Sequence, residues 1–461
     1  MPMFSNPNPS VLQAQRDFFL TCATRDPEFR VKQLKILRKA ILAYEERLYE
    51  AFWKDLRKSK FEVYATEIGF VLEELGLHIR NVHRWSKPQK TGTNQLLHFW
   101  SKSRIYQEPF GLVLVMAPWN YPFQLLINPL IGAISAGNCA ALKPSELTPT
   151  IAGVMGEMIG EYFSTEYISF FNGDVELSKA LFNEHWDLIF FTGSPAVGRF
   201  VMESAVKNLC PLVLELGGKS PCIVDAGARL EVAASRIVWG KFLNAGQTCI
   251  APDYLFVHSS VKDEFLHLMS KKITRYFGAN PKESKDFPRI VSEGKTQRLA
   301  GFLSHGKLIA GGEVDIHDRF ISPTILDDIK PDDPIMQEEI FGPILPVMEF
   351  SDISVVFNYI NSHPKPLALY YFSEDKAGQS EVLEKTSSGG ACINDVIIHI
   401  ANSNMPFGGV GNSGMGKYHG KYSFEAFSHQ RAVMSKSTRT DVPVRYPPYN
   451  GKLGILKMLL K

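Results

Sequence analysis

Four short apolar runs in the first half of the chain, residues 111–117, 139–143, 167–172 and 188–192, alternate with stretches of helical character such as 123–136 and 150–163. Runs of that length with little polar alternation suit strands buried on both faces. A helix between two such strands makes them neighbours in a parallel sheet. The pattern therefore predicts βαβ units and a doubly wound sheet, with functional residues gathered at the carboxyl ends of the strands. From Leu214 to about Gly390 strand and helix signals alternate again, which predicts a second α/β domain.

The remaining segments are less regular. Residues from about 9 to 86 read as helix, because Leu34, Leu37, Ile41, Tyr44 and Leu48 recur at steps of three and four with charged residues between. Between Trp85 and Gln107 the composition turns polar, as in an exposed hairpin or linker, and residues 423–435 show strand-like alternation. A small arm built from these two distant pieces is expected. From Pro109 to Leu142 no residue is charged, a length that suits a membrane span, yet Pro118, Asn120, Pro122, Asn128, Pro129 and Asn138 interrupt it. A buried strand, a turn and a core helix account for it better.

Composition narrows the function classes. The net charge of +2 over 461 residues gives no electrostatic basis for nucleic-acid binding. The N-terminus lacks the basic start and apolar run of a secretory signal. The six cysteines are scattered with no Cys-x-x-Cys pair, so neither a disulfide framework nor a metal site is indicated, and a reducing cytoplasm is the simplest compartment.

Several short stretches carry chemistry. Glu215 stands in Leu-Glu-Leu-Gly-Gly and Cys249 in Gly-Gln-Thr-Cys, a carboxylate and a thiol framed by small or flexible residues. A thiolate attacks carbonyls, and a carboxylate activates the water that releases the product. Asn120, in Ala-Pro-Trp-Asn-Tyr-Pro at the end of an expected strand, offers an amide donor, although a turn asparagine between prolines would read the same. Ser194 is placed to cap a helix that starts at Pro195, and helix N-termini suit phosphates. Neither G-x-G-x-x-G nor a P-loop lysine accompanies it. Lys143-Pro144-Ser145-Glu146 read alone is a solvated charge pair, and Gln337-Glu338-Glu339-Ile340-Phe341 an acidic turn with a buried aromatic.

Together these segments resemble the aldehyde dehydrogenase superfamily, in family order, from about residue 13 to 448. The glycine-rich stretch from Met405 to Gly416 and the following Lys417-Tyr418-His419-Gly420 are most similar to the class 3 enzymes, which act on fatty and aromatic aldehydes. The resemblance implies Cys249 as nucleophile, Glu215 as base for the deacylating water, and Asn120 with the Cys249 amide as oxyanion donors. It also implies that Lys143 and Glu146 bond the adenosine ribose and that Gly193, Ser194 and Gly198 meet the pyrophosphate. Glu339 would then hold the nicotinamide ribose, with Phe341 packed near the ring. A carboxylate near the ribose 2′ position leans the cofactor towards NAD, with NADP open.

The expected division is a cofactor domain of 1–87 with 109–214, a catalytic domain of 215–416, an oligomerisation arm of 88–108 with 417–440, and a tail of 441–461. A homodimer follows from the class 3 likeness. No membrane-spanning tail is expected; the apolar end, 453–461, would pack on a partner or lie on a membrane surface. Other readings stay open: a catalytically silent member of the fold, a branch that releases its acyl group to coenzyme A, and a cysteine hydrolase. For the last, His185, His258, His399 and His419 occupy no recognisable activating motif. Tyr121, Trp239 and Phe242 are candidate pocket aromatics, and the aldehyde itself is undetermined.

Overall fold

The structure is a computed structural model and describes residues 4–95, 98–439 and 441–460. Residues 1–3, at the end where no secretory signal is expected, and residue 461 of the apolar tail lie outside the described residues. Helices Pro9–Leu20 and Pro27–Leu56 open the chain, followed by a turn of α-helix at Lys60–Val63, a wider i→i+5 turn at Tyr64–Ile68 and helix Gly69–Trp85. The expected helical segment is thus broken twice. One break is at Cys22 and the other at Arg57, both in the left-handed region.

Strands follow in chain order: β1 (Gln89–Thr91), β2 (Ser101–Pro109), β3 (Leu112–Met116), β4 (Cys139–Lys143), β5 (Ile168–Phe170), β6 (Leu188–Gly193) and β7 (Leu212–Leu216). The second half gives β8 (Pro221–Val224), β9 (Tyr254–His258), β10 (Lys307–Ala310), β11 (Val314–Asp315), β12 (Phe320–Ile321), β13 (Thr324–Asp327), β14 (Ile344–Phe350), β15 (Ala368–Phe372) and β16 (Gly390–Ile393). β17 (Gly414–Met415) and β18 (Ser428–Lys436) come last.

The four apolar runs became β3, β4, β5 and β6, in a six-stranded sheet ordered β17-β7-β6-β3-β4-β5. All of its pairings are parallel except the one between β17 and β7. The uncharged stretch folds as strand, turn and helix: Gln124–Ala136 is buried along its whole length despite Pro129 inside it. Among the described residues no helix is long and apolar enough to cross a membrane. A second, seven-stranded sheet runs β10-β13-β14-β9-β8-β15-β16, parallel except at β10, and a separate antiparallel sheet joins β1, β2 and β18.

The second piece of that small sheet starts later than its alternation suggested. Ser423 lies in a short helix, Lys421–Ala426, because Phe424 and Phe427 are both buried and share one helical face. Phe427 packs over Gly132, where an added methyl would come within 2.8 Å of its ring.

Candidate active site

The chain leaves the first sheet at the end of β7 and enters the second at β8, crossing through Gly217-Gly218-Lys219-Ser220. Beside this seam lies a cavity of about 1520 Å³. Asn120 reaches it from the turn after β3, Gly193 and Ser194 from the end of β6, and Glu215 from β7, where it pairs with Thr192. Cys249 comes from the loop before β9, and Glu339 and Phe341 from the loop before β14. Lys143 ends β4 beside Met116 of β3. Asn120, Lys143, Gly193, Ser194 and Glu215 stand at the carboxyl ends of parallel strands, where a doubly wound sheet leaves its crevice, whereas Cys249, Glu339 and Phe341 come from loops that lead into strands of the second sheet.

The loop that presents Cys249 is held tightly. Asn244, Ala245 and Gly246 take φ of 52°, 52° and 74° in succession. At Gly246 any side chain would strike the Gly342 carbonyl oxygen at 2.2 Å. Gln247 is fully buried; its amide donates to the carbonyls of Asn244 and Arg289, and its oxygen accepts from Val291 N–H at 2.9 Å. The Gln247 carbonyl in turn accepts from Asn120 Nδ2 at 3.0 Å and from Asn244 Nδ2 at 3.1 Å. Tyr121 OH and Thr248 Oγ1 are 2.6 Å apart.

Cys249 is half-buried on the cavity wall. Burial pushes its thiol up, the charges of Glu339 and Glu215 push the same way, and the backbone N–H groups of Cys249 and Ile250 oppose them. Glu215 is buried, and neither carboxylate oxygen has a hydrogen-bond partner among the described residues. Burial holds it well above the usual carboxylate range. Glu339 is pushed up to about 8 by burial and by Asp253, against the Gly218 N–H, Lys219 and Lys241. It packs on Gly217, where an added methyl would meet its carboxylate at 2.2 Å.

The cavity suits an anionic dinucleotide. Ser194 caps helix Pro195–Val206, accepting from Val197 N–H at 3.4 Å with Pro195 first in the helix. Arg199 and Lys295 line the same space, and the buried Thr192 hydroxyl beside them has no partner among the described residues. Gly198 lets that helix approach the sheet: an added methyl would lie 2.7 Å from Leu216. The Phe341 and Trp119 rings meet edge to face at 5.3 Å. Lys143, Glu146 and Gly198 do not line the cavity; the Lys143 ammonium is buried, bonds the Pro144 carbonyl at 2.7 Å and stands 3.8 Å from Glu146.

Tyr121, Trp239 and Phe242 do line the cavity, as does Tyr418, which lies within electrostatic reach of both Glu215 and Cys249. Among the described residues no histidine is hydrogen-bonded to Cys249. His399 instead faces Cys392, 3.2 Å from its sulfur. Residues that sequence reading missed are Lys58, Glu62 and Glu67. Glu62 and Glu67 accept backbone N–H groups of the loops that carry Asn120 and Cys249, Lys58 donates to Glu67, and all three come from the segment that reads as helix.

Comparison with known proteins decides the family. The sequence profile of the aldehyde dehydrogenase family matches residues 9–433. The chain belongs to that family. It is 47% identical to the 4,4'-diaponeurosporen-aldehyde dehydrogenase of Staphylococcus aureus over 96% of this chain and 97% of that one. It is 41% identical to human aldehyde dehydrogenase family 3 member B1, over 99% and 97% of the two chains. Among solved structures, the substrate-bound state of Staphylococcus aureus AldH superposes with a TM-score of 0.97 at 46% identity, covering 99% of this chain and 100% of that one. An NAD-dependent aldehyde dehydrogenase from Sinorhizobium meliloti gives 0.84 at 26% identity, covering 94% and 87%. The likeness to class 3 enzymes is borne out, and with it an aldehyde dehydrogenase that oxidises aldehydes to acids with a nicotinamide cofactor.

Proposed function

We propose that this aldehyde dehydrogenase takes apolar aldehydes, medium- or long-chain aliphatic or aromatic, and oxidises them through a covalent thioester on Cys249. The observation that carries the reading is a single one. A half-buried thiol, the Asn120 amide and a carboxylate with no hydrogen-bond partner among the described residues meet in one cavity. The Cys249 thiolate adds to the aldehyde carbon, and the oxyanion is met by the Cys249 N–H and by the Asn120 amide hydrogen that Gln247 does not use. A bound nicotinamide supplies the hydride acceptor. Glu215 then takes a proton from water, the hydroxide attacks the thioester carbon, and the acid departs as the sulfur is released. Glu215 also favours water over coenzyme A as the acceptor.

The cofactor is held, in this reading, by Gly193, Ser194 and Gly198 at the pyrophosphate, Lys143 and Glu146 at the adenosine ribose, and Glu339 with Phe341 at the nicotinamide end. Glu146 favours NAD over NADP. Cys249, Glu215 and Asn120 carry the chemistry. The division into 1–87 with 109–214, 215–416, and 88–108 with 417–440 is supported by the separate sheets, apart from β17, which lies within 215–416 but pairs with β7 of the first sheet. The arm and the exposed apolar side chains of helix Leu453–Leu459, Leu453 and Ile455 among them, support a homodimer better than a membrane contact. Six unpaired cysteines suit the cytoplasm. Apolar aldehydes are supported by the aromatic and aliphatic lining around Trp239, Phe242, Tyr276 and Ile397.

A panel of aldehydes of increasing chain length, assayed with NAD and NADP in parallel, tests this. Rising kcat/KM with chain length and a preference for NAD are expected. Equal rates for acetaldehyde and for a long-chain aldehyde contradict the substrate reading.

A further inference from the structure

On one wall of the cavity, one short stretch of chain that includes Glu62 grips both loops that build the proposed oxyanion pocket. Glu62 Oε1 accepts the Asn244 backbone N–H at 2.9 Å, across 182 positions of sequence. Glu67 Oε2 accepts the Gln124 N–H at 2.8 Å. Asn244 begins the three-residue left-handed turn before Cys249, and its side chain donates to the Asn120 carbonyl at 2.8 Å and to the Gln247 carbonyl at 3.1 Å. Gln124 closes the other side of the Asn120 turn. The two carboxylates are five positions apart, and the wide turn Tyr64–Ile68 brings the second round towards the face of the first.

One cation serves both. The Lys58 ammonium is fully buried, 3.3 Å from Glu67, and stands 4.3 Å from the centre of the Tyr121 ring. Its charge is also the principal one favouring ionised Glu62 against burial. A buried acid kept in place this way is costly unless its acceptor oxygens are used, and both are used on backbone N–H groups of the loops in question. Asn244 and Ala245 are not glycines, so their left-handed backbone persists only where neighbours over-determine it.

Resting on the mechanism proposed above, we propose that Glu62 is a positioning residue for the reaction: by accepting the Asn244 N–H it fixes the turn that sets Asn120 and Gln247 against Cys249, with Lys58 coupling it to Glu67 on the other side of the same pocket. Glu62 itself transfers no proton. It acts through Asn244.

The test compares two variants in the full-length enzyme, with steady-state kinetics and cofactor binding measured by fluorescence. Glu62→Gln keeps an acceptor oxygen at the same reach and is expected to hold kcat within about threefold of native. Glu62→Ala removes the acceptor and is expected to lower kcat about tenfold or more, because small displacements of reacting groups cost rates of that order. The KM and Kd for NAD should stay within about twofold, since the bond that Glu62 makes is to Asn244 and not to any of the proposed cofactor contacts. Native kcat in Glu62→Ala overturns the assignment. So does a loss shared equally by Glu62→Gln, or one matched by weaker NAD binding. Should Glu62→Ala fail to fold, Glu62→Asp keeps the charge beside Lys58 but falls short of Asn244, and native kcat in that variant overturns the assignment equally. Absence of turnover in the native enzyme would remove the mechanism beneath it, a result distinct from any ratio between variants.

Discussion

Asn120 and Gln247 are joined by a 3.0 Å hydrogen bond between the Asn120 amide and the Gln247 carbonyl, spanning 127 positions of sequence. The bond ties the turn after β3 to the residue two before Cys249, so in the proposed mechanism one side chain both braces the nucleophile loop and offers a hydrogen to the substrate. Replacing Asn120 by alanine should therefore lower kcat by about 10²-fold or more, the usual cost of one oxyanion donor, with KM for NAD little changed. Steady-state kinetics give the answer directly. A loss confined to KM for the aldehyde would show that Asn120 binds substrate without stabilising the oxyanion.

Glu215 gives a pH signature. Burial, with no hydrogen-bond partner among the described residues, holds its carboxyl above the usual range, so at low pH it is a neutral acid that cannot accept a proton from water. Its basic form grows as pH rises. Decay of a preformed thioester, followed in single turnovers, should accelerate with pH through a midpoint clearly above the ordinary carboxylate value of about 4.3. A decay rate that is flat from about pH 5 to about pH 9 is incompatible with Glu215 as the base.

Gly246 combines φ of 74° with a Gly342 carbonyl oxygen 2.2 Å from where a Cβ would sit. Gly246→Ala pays both a conformational and a steric penalty, so a loss of at least about 1–3 kcal/mol of stability is expected, with activity falling alongside. Thermal unfolding and turnover on the same preparation measure both. An unchanged Tm would mean that the turn relaxes more freely than its contacts imply.

Much of this was legible in the chain itself. β4 falls on the run expected for it, and β3, β5 and β6 within two residues, because buried parallel strands leave uninterrupted apolar runs bounded by turns. The cavity collects Cys249, Glu215, Asn120, Gly193, Ser194, Glu339 and Phe341, since motifs at strand ends converge once the strands are parallel. Lys58, Glu62 and Glu67 were not legible. Their segment reads as an ordinary charged helix, and only tertiary packing turns three of its charges inward. The short helix Lys421–Ala426 escaped for a related reason. A six-residue helix has too few turns to show a period, and its two phenylalanines also suit a strand.

Glu146 offers a test of cofactor choice. Its half-exposed carboxylate stands 3.8 Å from buried Lys143. If both meet the adenosine ribose, the negative charge disfavours a 2′-phosphate. Glu146→Gln should then shift the NAD-to-NADP ratio of kcat/KM towards NADP by about tenfold, roughly the cost of one like-charge contact. An unchanged ratio would separate Glu146 from the ribose.

The most direct measurement is the covalent state of Cys249 during turnover. With Glu215→Gln, mixing enzyme, aldehyde and NAD should give a burst of about one reduced cofactor per active site and then stall. Mass spectrometry should find the acyl group on the Cys249 peptide, and Cys249→Ala should give neither burst nor adduct while still binding NAD. Steady turnover by Glu215→Gln without an adduct, or an acyl group on another residue, would contradict the account.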